Sequence, residues 1–266
     1  MRPVESLVVH ALLLTLLVFA ALLPRTASWM RLSAPGTLLI AVGQVLVEGA
    51  RWLMIPAYII AGVLLLIWLF QTTGPARPGS APMARGRLAR LIATGLATLG
   101  LAVAVALSMA LPVFRFPLPT GPWAIGAAVY HWTDPGRAEI FSADPVAPRE
   151  VMAQIWYTAT EPLVTEPAPY VQDAAALWAA QARLHGLPPF ALMHLGYVTT
   201  NATQVAPVSN ERPAYPVLVF LEGLTGYRQM SSFQVEHLVS HGYIVMAIDH
   251  PYVAAMDLAR PPVTDA

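Results

Sequence analysis

Two uninterrupted apolar runs limit this chain more than any other feature. Trp52 to Phe70 and Leu88 to Leu111 contain only one charged side chain between them, Arg90. A helix rises 1.5 Å per residue, so about 20 such residues cross a hydrocarbon core of roughly 30 Å. A third run, Leu7 to Leu23, has only His10 and Thr15 as polar members. It reads as an uncleaved anchor, because no clear small-x-small cleavage site follows and further spans come after it. A shorter apolar stretch within 36–49 reads as a fourth helix, paired with 52–70 around a turn in which Glu48 and Arg51 form a local ion pair. The expectation for residues 1–111 is an α-helical membrane bundle of three or four spans, at about 5–23, 36–49, 52–70 and 88–111.

The segment 71–87 carries Arg77, Arg85 and Arg87 among Gly, Pro and Ser, the composition of a flexible polar linker. A basic loop stays on the cytoplasmic side, so the helix after it leads outward, and residues 112–266 are expected outside the cytoplasm. Charge divides the chain at the same place. The formal net charge is zero, yet residues 1–111 hold eight Arg against two acids, and residues 112–266 hold seven Arg against thirteen acids. An acidic soluble half argues against a nucleic-acid partner. The 56% hydrophobic content excludes disorder. With no Cys, there is no disulfide framework, no Cys-ligated metal and no thiol nucleophile. Intramembrane polar residues are too few for an ion pathway.

From Pro112 the hydrophobic runs shorten to strand length. Val151–Tyr157 alternates as a strand does. Val217–Leu221 and Tyr243–Ile248 are short, β-rich and apolar, as expected of parallel strands buried on both faces. Between them Ser231–Ser240 has a helical pattern, and Gly242 stands where a left-handed C′ glycine ends a helix. Residues 216–249 therefore read as one right-handed βαβ unit. A further helix is expected over Asp173–His185, capped by Asp173 and stopped by Gly186 and Pro188.

The turn of the βαβ unit reads Glu222-Gly223-Leu224-Thr225-Gly226-Tyr227-Arg228. Its G-x-x-G lacks the Lys-Ser/Thr of a phosphate loop and the third glycine of a dinucleotide fingerprint. Two readings remain: a tight strand-to-helix turn, which pattern alone favours, and a loop whose backbone N–H groups stabilise a developing oxyanion. Elsewhere the bland reading prevails. Ser231 and Ser232 suit an N-cap. His237 and His241, spaced i, i+4, suit a helix surface better than a metal site, since no third ligand is evident. Asn201-Ala202-Thr203 is a triplet common by chance.

Several blocks together closely resemble the platelet-activating-factor acetylhydrolase-like α/β-hydrolases. They are Pro216 to Arg228, Phe233 to His250, Thr120 to Gly126, Tyr130-His131-Trp132, Arg137 to Phe141 and Gln154 to Tyr157. Arg51 to Tyr58 is similar to the membrane region of bacterial members. The resemblance implies a mainly parallel α/β-hydrolase sheet with flanking helices. It implies a carboxylic ester hydrolase, 1-alkyl-2-acetylglycerophosphocholine esterase-like, that acts on lipid or short acyl esters with a Ser-Asp-His triad and no cofactor or metal. It also implies that the Leu224 N–H is an oxyanion-hole donor, with Gly223 and Gly226 lining the substrate loop. The family usually has His where this chain has Glu222, and it treats the Asp249-His250 pair as a structural feature of the sheet end.

No G-x-S-x-G occurs in the 266 residues. By the resemblance, the nucleophile elbow, the acid and the His would all follow Asp249 at a distance. The expectation is an N-terminal hydrolase fragment, inactive alone, whose last strand has an unpaired edge. The partners expected are the lipid bilayer and, for the full-length protein, an acyl ester. The competing reading is a non-catalytic membrane protein, lipid-binding or scaffolding, that carries a remnant hydrolase domain.

Overall fold

The structure is a computed structural model that describes residues 2–19, 32–73, 84–140, 142, 144, 146–160 and 167–258. It separates into two compact units, Met1–Val113 and Phe114–Ala266.

The first unit is helical: α1 Pro3–Phe19, α2 Ser33–Glu48, a 3-10 turn at Trp52–Met54 leading into α3 Ile55–Thr73, and α4 Ala84–Ala110. Its core joins Val8, Leu12, Leu16, Leu64 and Leu101 to the small residues Ala41, Ala57, Ala61 and Ala104. The small side chains let helix backbones approach closely. The outward faces are apolar as well, with Leu39, Leu46, Ile59, Leu96 and Leu99 exposed. Among the described residues two helices, not three or four, are long and apolar enough to cross a membrane, Trp52–Phe70 and Leu91–Ala110; α1 and α2 are shorter. Helix occupies both ends of the expected linker 71–87, whose residues 74–83 lie outside the described residues, as does the end of the expected span 5–23.

Polar groups gather at one end of this bundle. Glu48 does not pair locally with Arg51. Its carboxylate accepts the Val4 N–H at 2.9 Å and the Glu5 N–H at 3.2 Å, closing the first turn of α1. A carboxylate there meets both the orphan amides and the positive end of the helix dipole. Arg51 instead reaches Glu5 at 3.0 and 3.1 Å, with both side chains fully buried, and donates to the Leu111 carbonyl at 2.6 Å. Further along, the Thr15 and Thr37 hydroxyls bond at 2.8 Å. Together these contacts run α1 antiparallel to α2 and bring the starts of α1 and α3 beside the end of α4.

The second unit holds a six-stranded sheet in the order β3-β4-β1-β2-β6-β5. The strands are β1 Ala124–Ala138, β2 Pro148–Ala159, β3 Pro167–Pro169, β4 Thr199–Gln204, β5 Val217–Leu221 and β6 Ile244–Ile248. Helix α5 is Ala174–Leu184, α6 is Ser232–Ser240 and α7 is Ala255–Leu258. The sheet is mixed rather than mainly parallel. β1 and β2 form a long antiparallel hairpin, and β6 joins β2 antiparallel; the parallel pairs are β1 with β4 and β5 with β6. At Gly126 the ring of Tyr157, directly opposite in the register, fills the space a Cβ needs, approaching it to 2.4 Å. The core gathers Trp156, Ile125, Ala127, Ala202, Val235, Val239, Val245 and Ala247 where α6 packs on the sheet.

The βαβ unit is present, and Gly242 follows α6 at φ +93°. The exposed edge is not where the sequence placed it. β6 is paired on both sides, and β5 ends the sheet beside it, with Val217, Val219 and Leu221 each more than half exposed. An apolar run thus marked sheet membership correctly while leaving burial on both faces unmet. Asp173 and Ser231 stand at the N-cap positions of α5 and α6 without side-chain capping bonds. The Ser232 hydroxyl donates to the Gln229 carbonyl instead.

Candidate active site

In α/β sheets ligands gather at the carboxyl ends of parallel strands. Here β5 and β6 end in register, Leu221 opposite Ile248. The residues that follow, Glu222 to Arg228 on one side and Asp249-His250 on the other, are therefore neighbours. Thr225 sits at φ +62°, a left-handed conformation costly for a β-branched residue. Four bonds hold it there. The Thr225 N–H donates to the Val253 carbonyl (3.0 Å), and the Gln181 amide donates to the Thr225 carbonyl (2.9 Å). The Gly226 N–H donates to the Gly223 carbonyl (2.8 Å), and the Ala255 N–H to the Gly226 carbonyl (2.8 Å). Among the described residues the Leu224 N–H has no acceptor, and its side chain is exposed.

The two glycines are not equivalent. A Cβ on Gly226 would lie 2.7 Å from the Gly223 carbonyl oxygen and 2.9 Å from the Glu222 Cβ, whereas a Cβ on Gly223 meets nothing within 4 Å. Gly226 permits the turn to close; Gly223 leaves open space beside the Leu224 amide.

Two side-chain contacts tie the turn to the residues that follow β6. The Glu222 side chain is fully buried, and both its oxygens are taken by His250: Oε1 accepts the His250 N–H at 2.6 Å and Oε2 lies 2.7 Å from Nδ1. Asp249 accepts the Arg228 N–H at 2.7 Å and pairs with its guanidinium. Burial pushes the Asp249 carboxyl above its ordinary value, and the Arg228 charge opposes that shift. The Arg228 Nε is buried with no partner among the described residues, beside a cavity of about 170 Å³ that Tyr227, Gln229, Asp249 and His131 also line. Burial likewise raises the Tyr170 and Tyr227 hydroxyls, which bond each other at 2.8 Å.

Residues 174–257, which carry the turn and its partners Gln181, Asp249 and His250, match the family described as platelet-activating factor acetylhydrolase, isoform II. This segment is platelet-activating-factor acetylhydrolase-like. Among solved structures, a ferulic acid esterase from Streptomyces cinnamoneus aligns at 27% identity and a TM-score of 0.40, over 54% of this chain and 38% of that one. No curated protein matches.

The acetylhydrolase-like segment brings Gly223, Leu224 and Gly226 into one turn. His237 and His241 lie with ring centroids 4.8 Å apart, and His241 bonds Thr120. No group of three metal-ligating side chains occurs among the described residues. The Asn201 amide is engaged by Glu236 and the Pro117 carbonyl. Sequence reasoning missed the Glu222–His250 pair, the Thr225 conformation and the Gln181 brace. The first was open to inference, because residues one and two places beyond paired parallel strands come together.

Proposed function

We propose that this chain supplies the oxyanion-binding part of a membrane-anchored carboxylic ester hydrolase that acts on lipid or short acyl esters outside the cytoplasm. One observation carries the chemistry. A strained, four-fold braced turn leaves the Leu224 N–H unpartnered at the carboxyl ends of two parallel strands. A preorganised donor of this kind stabilises the charge that develops on a carbonyl oxygen under attack, without reorganisation at the moment of reaction. The family match over the same residues supports the reading. The Glu222 charge, a concern so close to a developing oxyanion, is engaged by two His250 donors.

A short-chain trifluoromethyl ketone hydrate, a tetrahedral mimic, tests it. In the full chain labelled with 15N-leucine, the Leu224 amide resonance should shift saturably on titration. The shift should vanish in Gly226→Ala, whose Cβ cannot fit the turn. A Leu224 resonance that stays in place throughout removes the oxyanion assignment.

Anchoring rests on the apolar outer faces of the first unit and on two helices of spanning length. Arg85, Arg87 and Arg90 at the start of α4 favour that end as cytoplasmic. Leu111 and the second unit then lie outside. Because the start of α1 shares its bundle end with Leu111, four spans put the N-terminus outside as well. A reporter active only outside the cytoplasm, fused after Ala266, should be active; silence there reverses the orientation.

A further inference from the structure

We propose that Glu222 and His250 form a carboxylate–imidazole general base with which this chain hydrolyses activated acyl esters directly with water, without a serine nucleophile. The inference rests on the reading of Leu224 as oxyanion donor and extends it to a complete, if simple, catalytic set.

An ionised carboxylate can only accept hydrogen bonds, so the Nδ1 facing Glu222 Oε2 at 2.7 Å carries the imidazole hydrogen. That fixes the tautomer and leaves the Nε2 lone pair free. Among the described residues Nε2 has no partner, and the His250 side chain is 37% exposed, so solvent reaches the ring. The second Glu222 oxygen holds the His250 backbone N–H at 2.6 Å, which fixes the residue as well as its ring. A base held by a buried, orienting carboxylate is the arrangement that activates hydroxyl nucleophiles in hydrolases, and water can stand in their place. Glu222 lies two residues before Leu224, so the group that orients the base belongs to the same braced turn as the oxyanion donor, and His250 reaches that turn from the end of β6.

The reaction balances with water alone. Nε2 takes a proton as the water oxygen bonds to the ester carbonyl carbon. The carbonyl π pair moves to oxygen, against the Leu224 N–H. The tetrahedral adduct then collapses, the bond to the leaving oxygen breaks with its electron pair, and the imidazolium returns its proton to that oxygen. Ester and water become acid and alcohol, and the dyad is regenerated. His250 is the catalytic residue, and Glu222 positions it. A latch that only tied β5 to β6 would need the backbone bond and not a free, exposed Nε2.

The test uses the full chain in detergent with p-nitrophenyl acetate. Turnover above buffer, unaffected by a fluorophosphonate, is expected. His250→Gln should reduce it about 100-fold, the usual scale of general-base catalysis. Glu222→Gln should lower kcat and leave KM unchanged. His250→Ala should lose activity and regain it in added imidazole beyond the rate of imidazole without protein, which a structural latch would not do. Turnover that a fluorophosphonate abolishes, or that His250→Gln leaves intact, overturns the proposal. So does the absence of turnover in a chain whose Leu224 resonance still responds to the ketone hydrate, an outcome that leaves the oxyanion reading standing. Failure of both measurements removes both.

Discussion

Arg51→Ala is expected to destabilise the helical unit by about 3–5 kcal/mol, the usual cost of leaving a buried charge unpaired. Arg51 meets Glu5 with both side chains fully buried and holds the Leu111 carbonyl at 2.6 Å, so the substitution loses two links at once. Arg2, 3.0 Å from Glu5 and more exposed, keeps part of the compensation, which places the effect toward the lower end of that range. The measurement is loss of helical circular dichroism in a denaturing-detergent titration. The sharper observation is the pair. Replacing Arg51 and Glu5 together by Met removes both charges, and a well-packed apolar pair often equals or exceeds a buried ion pair in stability. The double variant should recover most of the loss. If the two single effects instead add, Glu5 and Arg51 are not energetically coupled, and the bundle end is held by Glu48 and Arg2.

Helices α3 and α4 were legible because a stretch of some 20 apolar residues leaves few alternatives. The polar end of the bundle was not. Glu48 and Arg51 are three residues apart, and proximity in sequence suggested a local pair. The structure sends Arg51 to Glu5 and Glu48 to the first amides of α1. Sequence spacing cannot show such choices, because they depend on which helix ends the packing brings level. In the second unit the βαβ segment was legible from strand-length apolar runs and Gly242. β3 and β4 were not, since Pro167–Pro169 and Thr199–Gln204 carry almost no hydrophobic pattern; β4 is a strand because β1 gives it an edge to join, and β3 because β4 does.

The turn at 222–228 was legible as a turn, and the resemblance implied an oxyanion role for it. What holds its shape is physically nonlocal. Thr225 is held left-handed by Gln181 from α5 and by Val253 from the approach to α7. No local rule assigns φ +62° to a threonine. Glu222 stands where the family usually has His, and its partner lies 28 residues on, brought beside it by the register of β5 against β6.

The same unit contains another buried carboxylate, and Glu236→Ala should cost about 3 kcal/mol. Glu236 is 1% exposed on α6 and accepts the Asn201 N–H at 3.1 Å and the Asn201 side-chain amide at 2.8 Å. Deleting it strands the Asn201 backbone N–H and leaves the Asn201 side-chain amide with the Pro117 carbonyl alone, and a buried, unsatisfied donor costs about 1–3 kcal/mol. The urea midpoint followed by tryptophan fluorescence reads this loss. The pH dependence separates charge from hydrogen bonding. Burial raises the Glu236 carboxyl above its ordinary value, against the opposing bonds from Asn201, Thr200 and Ala202. The folded state therefore holds this proton more tightly than the unfolded state does. Stability from the protonated form is fully present below the unfolded value and is lost as pH rises through the folded one. Asp249, raised for the same reason, contributes with the same sign. Glu236→Gln cannot titrate, so the stability of the wild type minus that of the variant should fall as pH rises across this window. A difference that rises with pH would mean that the Asn201 bonds outweigh burial and that Glu236 is held as a preferred anion.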